Sequence, residues 1–575
     1  MNARLKMSNA GEQPLPDMQP WADLGNSFDL LATAPDGVAS LRGLILKLAV
    51  TGRLVPQRTD DEPAEVQLRR ILVRKAARLS VSRTNHERSI DSNDESLVIS
   101  DLPLGWSLAR LNELVTVING RAYRKQELLA SGTPVLRVGN LFTSKDWYYS
   151  DLALEPEKYC DKGDLIFSWS ASFGPFIWKG PKVIYHYHIW KLDLHSTDDL
   201  SKDYLHTFLM EKTQELKAAG HGVSMIHMTK ESMERVVVPL PPLAEQHRIV
   251  ARLKELMALC DSLEKKGRLE DEQHARLVSV LFDSLVASES PQALAENWQR
   301  IAQHFDLLLD RPEAVDLIEQ TTLELAVRGL LAPEHRNDEP AERLLKRLAL
   351  CNEIKDSTAY LPKLIEDREK PFKLPPSWDW VRLGDIVSIK HGFAFSSESF
   401  TSEPTPFVLT TPGHFHEKGG FRDRGPRTKY YDGSVDPSFI LKPGDLIIPM
   451  TEQAPGLLGS PAFVPDDGKT YLHNQRLGKL VFSSDLIAPE FIFWFFNCAF
   501  FRSELAGTCT GMKVRHTSPK KILNVPVPVC SLAEQHRIVD RIKQLRELCA
   551  QLRECLALES STQARLAHAV VASIA

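Results

Sequence analysis

The octapeptide LAEQHRIV stands twice in this chain, at Leu243–Val250 and at Leu532–Val539. The copies lie about half a chain length apart, so one structural plan has been built twice. Two further pairs agree. LAVTGRLVPQRTDDEPAE at Leu48–Glu65 returns as LAVRGLLAPEHRNDEPAE at Leu325–Glu342, and GWSLARLNELVTVINGRAY (Gly105–Tyr123) has a weaker echo in SWDWVRLGDIVSIKHGFAF (Ser377–Phe395). Solenoids repeat every 20–50 residues or so; a period this long means duplicated domains. Two domains joined by shared helices predict two similar binding surfaces, suited to a target read in two halves.

Residues 1–27 read as a loose tail and 28–80 as a helical segment, whose second helix opens at DEPAE with Pro63 in a favoured first-turn position. A polar linker follows at 81–101. Between 102 and 242 the texture changes to short β-rich runs broken by Gly and Pro, the pattern of a globular α/β domain. A long helix is expected over 243–287, a linker over 288–304, and the second helical segment over 305–352. After a linker at 353–376, a second β-rich domain is expected over 377–531 and a final long helix over 532–575. KGDLIFSWS at Lys162–Ser170 echoes KPGDLIIPM at Lys442–Met450, a tight turn feeding a buried strand in each domain. In the first long helix Ile249, Leu253, Leu256, Cys260 and Leu263 form a heptad seam; Ile538, Ile542, Leu545, Cys549, Leu552 and Leu556 repeat it. Matching seams are expected to pack on each other. The seam of the central helix lapses over Glu264–His274, around Gly267, where a frayed or kinked middle, or a partner's contact, is expected.

A chain of 575 residues holds several domains, since single cores stop growing near about 250–300 residues. Its 25% charged and 43% hydrophobic residues are those of an ordinary soluble protein. No apolar run is long enough to span a membrane, and the start lacks an apolar signal core. Eight cysteines without a CxxC pair fit a reducing, cytoplasmic setting better than disulfides or zinc. The net charge of −5 counts against a protein that grips nucleic acid unaided, because phosphate binding draws on Lys and Arg. It leaves room for local basic faces or a charged partner.

Catalytic motifs are not found. Gly468-Lys469-Thr470 looks like the end of a phosphate loop, but Phe463 stands where its first glycine is needed. His186 and His188, two apart on an expected strand, lack ligand-spaced Cys, Asp or Glu, which favours a structural role over a metal site. Glu264 and Lys266 fit a solvated helix face. No nucleophile elbow, HExxH, dinucleotide-binding glycine turn or Asn-Pro-Pro-aromatic tetrapeptide of amino-methyltransferases occurs. The chain is therefore expected not to be an enzyme and to hold neither metal nor cofactor.

Binding chemistry remains. Each β-rich domain opens with a strand and a basic or aromatic loop, NGRAYRKQE (Asn119–Glu127) and KHGFAFSSE (Lys390–Glu398). Candidate DNA contacts are Arg121, Tyr123, Arg124, Lys125 and Arg137 in the first domain. In the second they are Lys390, Phe393, Arg422, Arg424, Arg427, Lys429, Lys513 and Arg515, with His516, Lys520 and Lys521 nearby. Such cations neutralise phosphates, and arginine also reaches guanine in the major groove. Taken singly, each is ordinary surface charge; their clustering in glycine-containing loops of both domains raises the group.

The proline-tipped strand running into a long helix, VVVPLPPLAEQHRIV and VPVPVCSLAEQHRIV, resembles the boundary between target-recognition domain and conserved helix in specificity subunits of Type I restriction–modification enzymes. ILKLAVTGRLVPQRTDDEPAE and its second copy resemble the family's other conserved region, and together the matches cover about 28–575. The resemblance implies a mixed α/β fold with two target-recognition domains separated by two long antiparallel coiled-coil helices. The body would be pseudo-twofold and its repeats circularly arranged. It implies a non-catalytic subunit whose domains each read half of a split double-stranded DNA target. Two modification subunits would supply S-adenosylmethionine chemistry, and two restriction subunits ATP- and magnesium-dependent translocation and cleavage. The family's recognition domains vary, so the resemblance assigns no base-reading residue. Two other readings stay open: a coiled-coil scaffold for proteins with degenerate recognition domains, and a fused methyltransferase or nuclease, which the absent catalytic motifs oppose.

Overall fold

The computed structural model describes residues 28–81, 102–170, 173–219, 228–350, 365–452, 456–509 and 515–574. The expected tail at 1–27, the linker beyond Val81, the first half of the linker at 353–376, and Lys513 lie outside the described residues. The chain divides into two compact units, one of residues 1–270 with 559–575 and one of residues 271–558. Each unit mixes helices with small sheets, and each long helix starts in one unit and ends in the other.

In the first unit the helix Gly37–Val50 buries Leu41, Leu44, Ile45, Leu48 and Ala49, one face at helical spacing. It ends at Gly52, whose positive φ of 75° lets the Arg53 N–H return to the Leu48 carbonyl. In the second unit the helix Pro312–Val327 ends identically at Gly329 (φ 71°), with the Leu330 N–H on the Leu325 carbonyl. A side chain at Gly52 would strike Pro103 and Trp106, and one at Gly329 would strike Pro375 and Trp378. Only glycine therefore lets the helix end meet the tryptophan beside it.

That tryptophan leads to the repeated octapeptide. The Trp106 indole N–H donates to Glu245, and the Trp378 indole N–H to Glu534, both at 3.1 Å. Gln246 donates to the Pro241 carbonyl and accepts the Ser201 N–H; Gln535 donates to the Cys530 carbonyl and accepts the Ala488 N–H. Arg248 forms a two-bonded pair with Asp61, and Arg537 with Asp338. The glutamates and glutamines are fully buried. The motif thus fastens the start of each long helix (Leu243–Val286 and Leu532–Ile574) to the domain before it and to the helical segment.

Ile249, Leu253 and Cys260 of the seam are buried in one cluster with Leu41 and Leu44, and Leu256 packs against it. Ala567 and Ile574, near the end of the second long helix, belong to the same cluster. In the second unit Val278, Phe282 and Leu285 of the first long helix share a core with Leu308 and Ala314, against which Leu552 packs. The 28–50 segment is thus completed by the end of the C-terminal helix, which makes the repeats circular. The matching seams, expected to pack on each other, lie instead in separate cores, each on the helical segment of its own unit: Ile538 and Ile542 share a core with Leu323 and Val327; Cys549 is buried, and Leu263, Leu545 and Leu556 are half-buried.

Two further local expectations change. The first long helix runs unbroken through Glu264–His274. Several charges in and beside the stretch have partners: Arg42 bonds Asp261 and Glu264, Lys266 pairs with Glu270, and Arg311 bonds Asp271. The stretch 288–304, read as linker, holds the helix Pro291–Ala302, capped by the Ser290 hydroxyl and anchored by buried Ile301. Among the described residues no helix is long and apolar enough to cross a membrane.

Each β-rich domain is built on the same strand order. In the first, Val115–Asn119, Ile189–Leu194, Leu165–Ser168 and Gly174–Ile177 form an antiparallel sheet. Ser388–His391, Leu477–Val481, Leu446–Pro449 and Ala462–Phe463 repeat it in the second. A second sheet, centred on the parallel pair Thr133–Leu136 and Val183–Tyr185, corresponds to one centred on Phe407–Leu409 and Thr470–Leu472, with an added edge strand. A two-stranded ribbon, Ser107–Arg110 with Val237–Leu240 or Asp379–Arg382 with Pro526–Val529, ties the domain's two ends together.

Burial holds the Glu245 and Glu534 carboxyls up at about 7, against the opposing pull of the tryptophan N–H and the neighbouring arginine. A carboxyl raised in the folded state binds its proton more tightly than in the unfolded chain. The stability this contributes is full below the ordinary carboxylate range and is lost as pH rises toward 7. The double variant Glu245→Gln, Glu534→Gln keeps an oxygen for each indole and never ionises. Thermal melts should show it level with the native chain at pH 5 and more stable at pH 8; an equal gap at both values would refute this.

Candidate nucleic-acid interface

Where the chain passes from the second sheet of each recognition-type domain back to the first, it crosses the entry loop in the same way in both copies. In the first domain the crossing is His186-Tyr187-His188, between Val183–Tyr185 and Ile189–Leu194. The two histidines therefore sit at a turn, not along a strand as expected, because the chain changes sheets there. In the second domain the crossing is Asn474-Gln475-Arg476, between Thr470–Leu472 and Leu477–Val481.

The backbone bonds correspond one by one. Arg121 N donates to the Tyr185 carbonyl (3.1 Å) and Phe393 N to that of His473 (2.8 Å). Tyr187 N donates to Arg121 O, and Gln475 N to Phe393 O. Ile189 N closes on His186 O and Leu477 N on Asn474 O, both at 2.9 Å. Trp169 N donates to His188 O, and Met450 N to Arg476 O. A Cβ on Gly120 would lie 2.2 Å from the His186 carbonyl, and one on Gly392 2.1 Å from that of Asn474, so both glycines permit the close approach. Beneath the crossing Lys191 pairs with Asp164, and Lys479 with Asp445.

Around the first crossing lie several of the expected residues. The Arg121 guanidinium sits 5.4 Å from the Tyr123 ring and bonds Glu127 at 2.8 Å. Glu127 also accepts the Arg124 N–H, and the two bonds hold its carboxyl below the ordinary range. Arg137 lies over the exposed Tyr148 ring at 4.1 Å. The Tyr123 ring stacks beside His186 at 6.5 Å between centroids. Burial, with the charges of His188 and Arg137, pushes the His186 imidazole down to about 4, so it is neutral at physiological pH. Three buried polar atoms here, Arg121 Nη1, Tyr123 Oη and Arg137 Nε, have no hydrogen-bond partner among the described residues. Burial also pushes the Tyr123 phenol up to about 12. Arg124 and Lys125 stand exposed at the loop tip.

Around the second crossing Phe393 is 47% exposed and packs edge-on to Phe395 and obliquely on Phe439; Lys390 is exposed opposite Lys479. Arg515 lies on the strand Arg515–His516, paired with Thr451–Glu452 just after Met450. The Arg422–Lys429 stretch is engaged locally: Arg422 bonds His416, Arg424 lies over Gly413 and bonds Thr411, and the Lys429 carbonyl accepts from Leu409. Arg427 is exposed. Lys521 bonds the Thr508 carbonyl. Gln475 and Arg476, not singled out from sequence, are exposed at the crossing and make no side-chain hydrogen bond or ion pair among the described residues. Their signal was the alignment of YHYHIWKL with HNQRLGKL, in which only the final Lys-Leu is identical. No group of three or more His, Cys, Asp or Glu is placed to hold a metal among the described residues.

A family model described as Type I restriction modification DNA specificity domain matches residues 103–271 and 375–557. The chain belongs to this family, and its role is DNA sequence specificity. The specificity subunit of the Escherichia coli type I restriction enzyme EcoAI is 29% identical over 559 residues, covering 93% of each chain. That of EcoEI, also from Escherichia coli, is 27% identical over 568 residues with the same coverage. The MjaVIII specificity subunit of Methanocaldococcus jannaschii is 21% identical over 457 residues, 78% of this chain and 87% of the relative.

A buried hydroxyl without a partner costs folding energy that its removal returns. Tyr123→Phe should therefore raise stability slightly, by up to about 1 kcal/mol in denaturant unfolding. A loss above about 1 kcal/mol would mean that the hydroxyl is satisfied in the free protein.

Proposed function

We propose that this chain is the non-catalytic specificity subunit of a Type I restriction–modification complex, and that its two recognition domains each read one half of a split double-stranded DNA target. The observation that carries this reading is the repeated crossing: one backbone frame, built twice, presents different polar and aromatic side chains. A symmetric target would call for the same side chains in both places. Different ones fit two different half-sites read in the major groove, where each base pair shows its own donor and acceptor pattern.

In this reading Arg121, Arg124, Lys125, Arg137, Lys390, Arg427 and Arg515 supply phosphate contacts that position the domains, with Tyr123 and Phe393 offering apolar faces beside them. The remaining expected cations, Arg422, Arg424, Lys429 and Lys513, fit the same positioning role. The long helices fix the length of the unread spacer. Two modification subunits, using S-adenosylmethionine, dock on this body. Two restriction subunits, using ATP and magnesium, join them, and the complex works in the cytoplasm. The chain itself contributes no cofactor and no reacting group. Its net charge of −5 is compatible with this, because the partners enclose much of the DNA.

The test exchanges residues 105–242 for the corresponding domain of a relative with a different target, followed by methylation mapping of the assembled complex. One block of the target should change and the other stay as it was. A change in both blocks, or in neither, would contradict the modular reading.

A further inference from the structure

We propose that the exposed side chains of the crossing tripeptides are the base-reading elements of the two domains, and that in the second domain Arg476 reads a guanine and Gln475 an adenine. The inference rests on the reading that each domain recognises half of a DNA target. It goes further in assigning specificity to named side chains that lie outside the basic loops.

Three observations converge on the crossing. The first is rigidity. Five equivalent backbone contacts, including the bonds to Arg121 or Phe393 and to Trp169 or Met450, hold the crossing in both domains. Reading a base edge requires side chains launched from a fixed backbone, since misplacement by an ångström forfeits a two-point hydrogen bond. The second is the division between constant and changed positions. Gly120 and Gly392, Lys191 and Lys479, and Asp164 and Asp445 keep their identity and their contacts. The three crossing residues differ at every place. A frame kept constant while its exposed side chains change is what a change of target requires.

The third is availability. Asn474 is 8% exposed and its side-chain oxygen accepts the Arg476 N–H, so it shapes the turn. Gln475 and Arg476 are exposed and unengaged among the described residues. Their chemistry is specific. A glutamine amide matches the donor–acceptor pair on the major-groove edge of adenine, and a guanidinium fork matches the two acceptors of guanine. A loop lysine such as Lys125 offers a flexible point charge without that planar fork. In the first domain Tyr187, 40% exposed, takes the place of Gln475, with neutral His186 behind it.

The experiment uses the full chain assembled with its modification subunit. Arg476→Ala, Arg476→Lys and Gln475→Ala are compared with the native chain by methylation mapping and by binding to duplexes carrying each single-base change in the target. In Arg476→Ala, discrimination at one guanine of the block read by residues 377–531 should fall about ten- to a hundredfold. The other block should be unaffected. Arg476→Lys retains the charge and loses the planar fork, so it should relax the same position while leaving the salt dependence of binding intact. Gln475→Ala should relax one adenine position in the same block. Weakening spread evenly over all sequences, with a shallower salt slope, would make Arg476 a phosphate contact and overturn the assignment. So would unchanged discrimination by assembled variants. If exchanging residues 377–531 wholesale also leaves the target unchanged, the underlying reading fails with it; if that exchange shifts one block, only the assignment of the crossing fails.

Discussion

The buried carboxyl of Glu245 against the Trp106 indole, and its copy in Glu534 against Trp378, is the contact on which the architecture turns. Each joins three things that are separate in sequence: the end of a helical segment, the entrance of a β-rich domain and the start of a long helix. Gly52 and Gly329 let the helix ends come close enough to reach it, Gln246 and Gln535 lock the domain's carbonyl and amide groups to the helix, and Arg248 and Arg537 reach the aspartates of the DEPAE loops. A small shift in any member leaves a buried polar group without its partner, which costs more than the bond contributes when made. The domain entrance is therefore held firmly on the long helix.

This dependence explains which parts were legible in the sequence. LAEQHRIV is repeated with the same contacts in both copies, Glu to tryptophan, Gln to the domain backbone and Arg to aspartate, so the duplicated plan could be read from it. The unbroken helix across Glu264–His274 was not legible. Heptad counting follows apolar residues, whereas the charges of that stretch meet Arg42 and Arg311, distant in sequence. The helix Pro291–Ala302 was missed for a similar reason, being short and mostly exposed on a single buried anchor.

The crossing tripeptides were still less visible. What the two domains share there is a set of backbone bonds, and backbone bonds leave no side-chain signature. His186 and His188 drew notice as a metal-like pair, and Asn474-Gln475-Arg476 drew none. Counting Lys and Arg favoured loops such as Arg422–Lys429, where the structure engages Arg422 with His416 and Arg424 with Thr411. Much of the chain's positive charge is similarly committed: Arg70 joins Glu62 and Asp199, and Arg553 joins Asp316 and Glu319. Overall charge was thus a poor guide to where an anion would bind.

The central claim is that one frame, built twice with different exposed side chains, reads two different blocks of DNA held at a fixed spacing. Mapping every methylated adenine in DNA modified by the native chain with its modification subunit tests this most directly. The account predicts a single target of two unlike blocks separated by a run of unrestricted bases of constant length. A continuous target, a palindrome of two like blocks, or a spacer of variable length would contradict it.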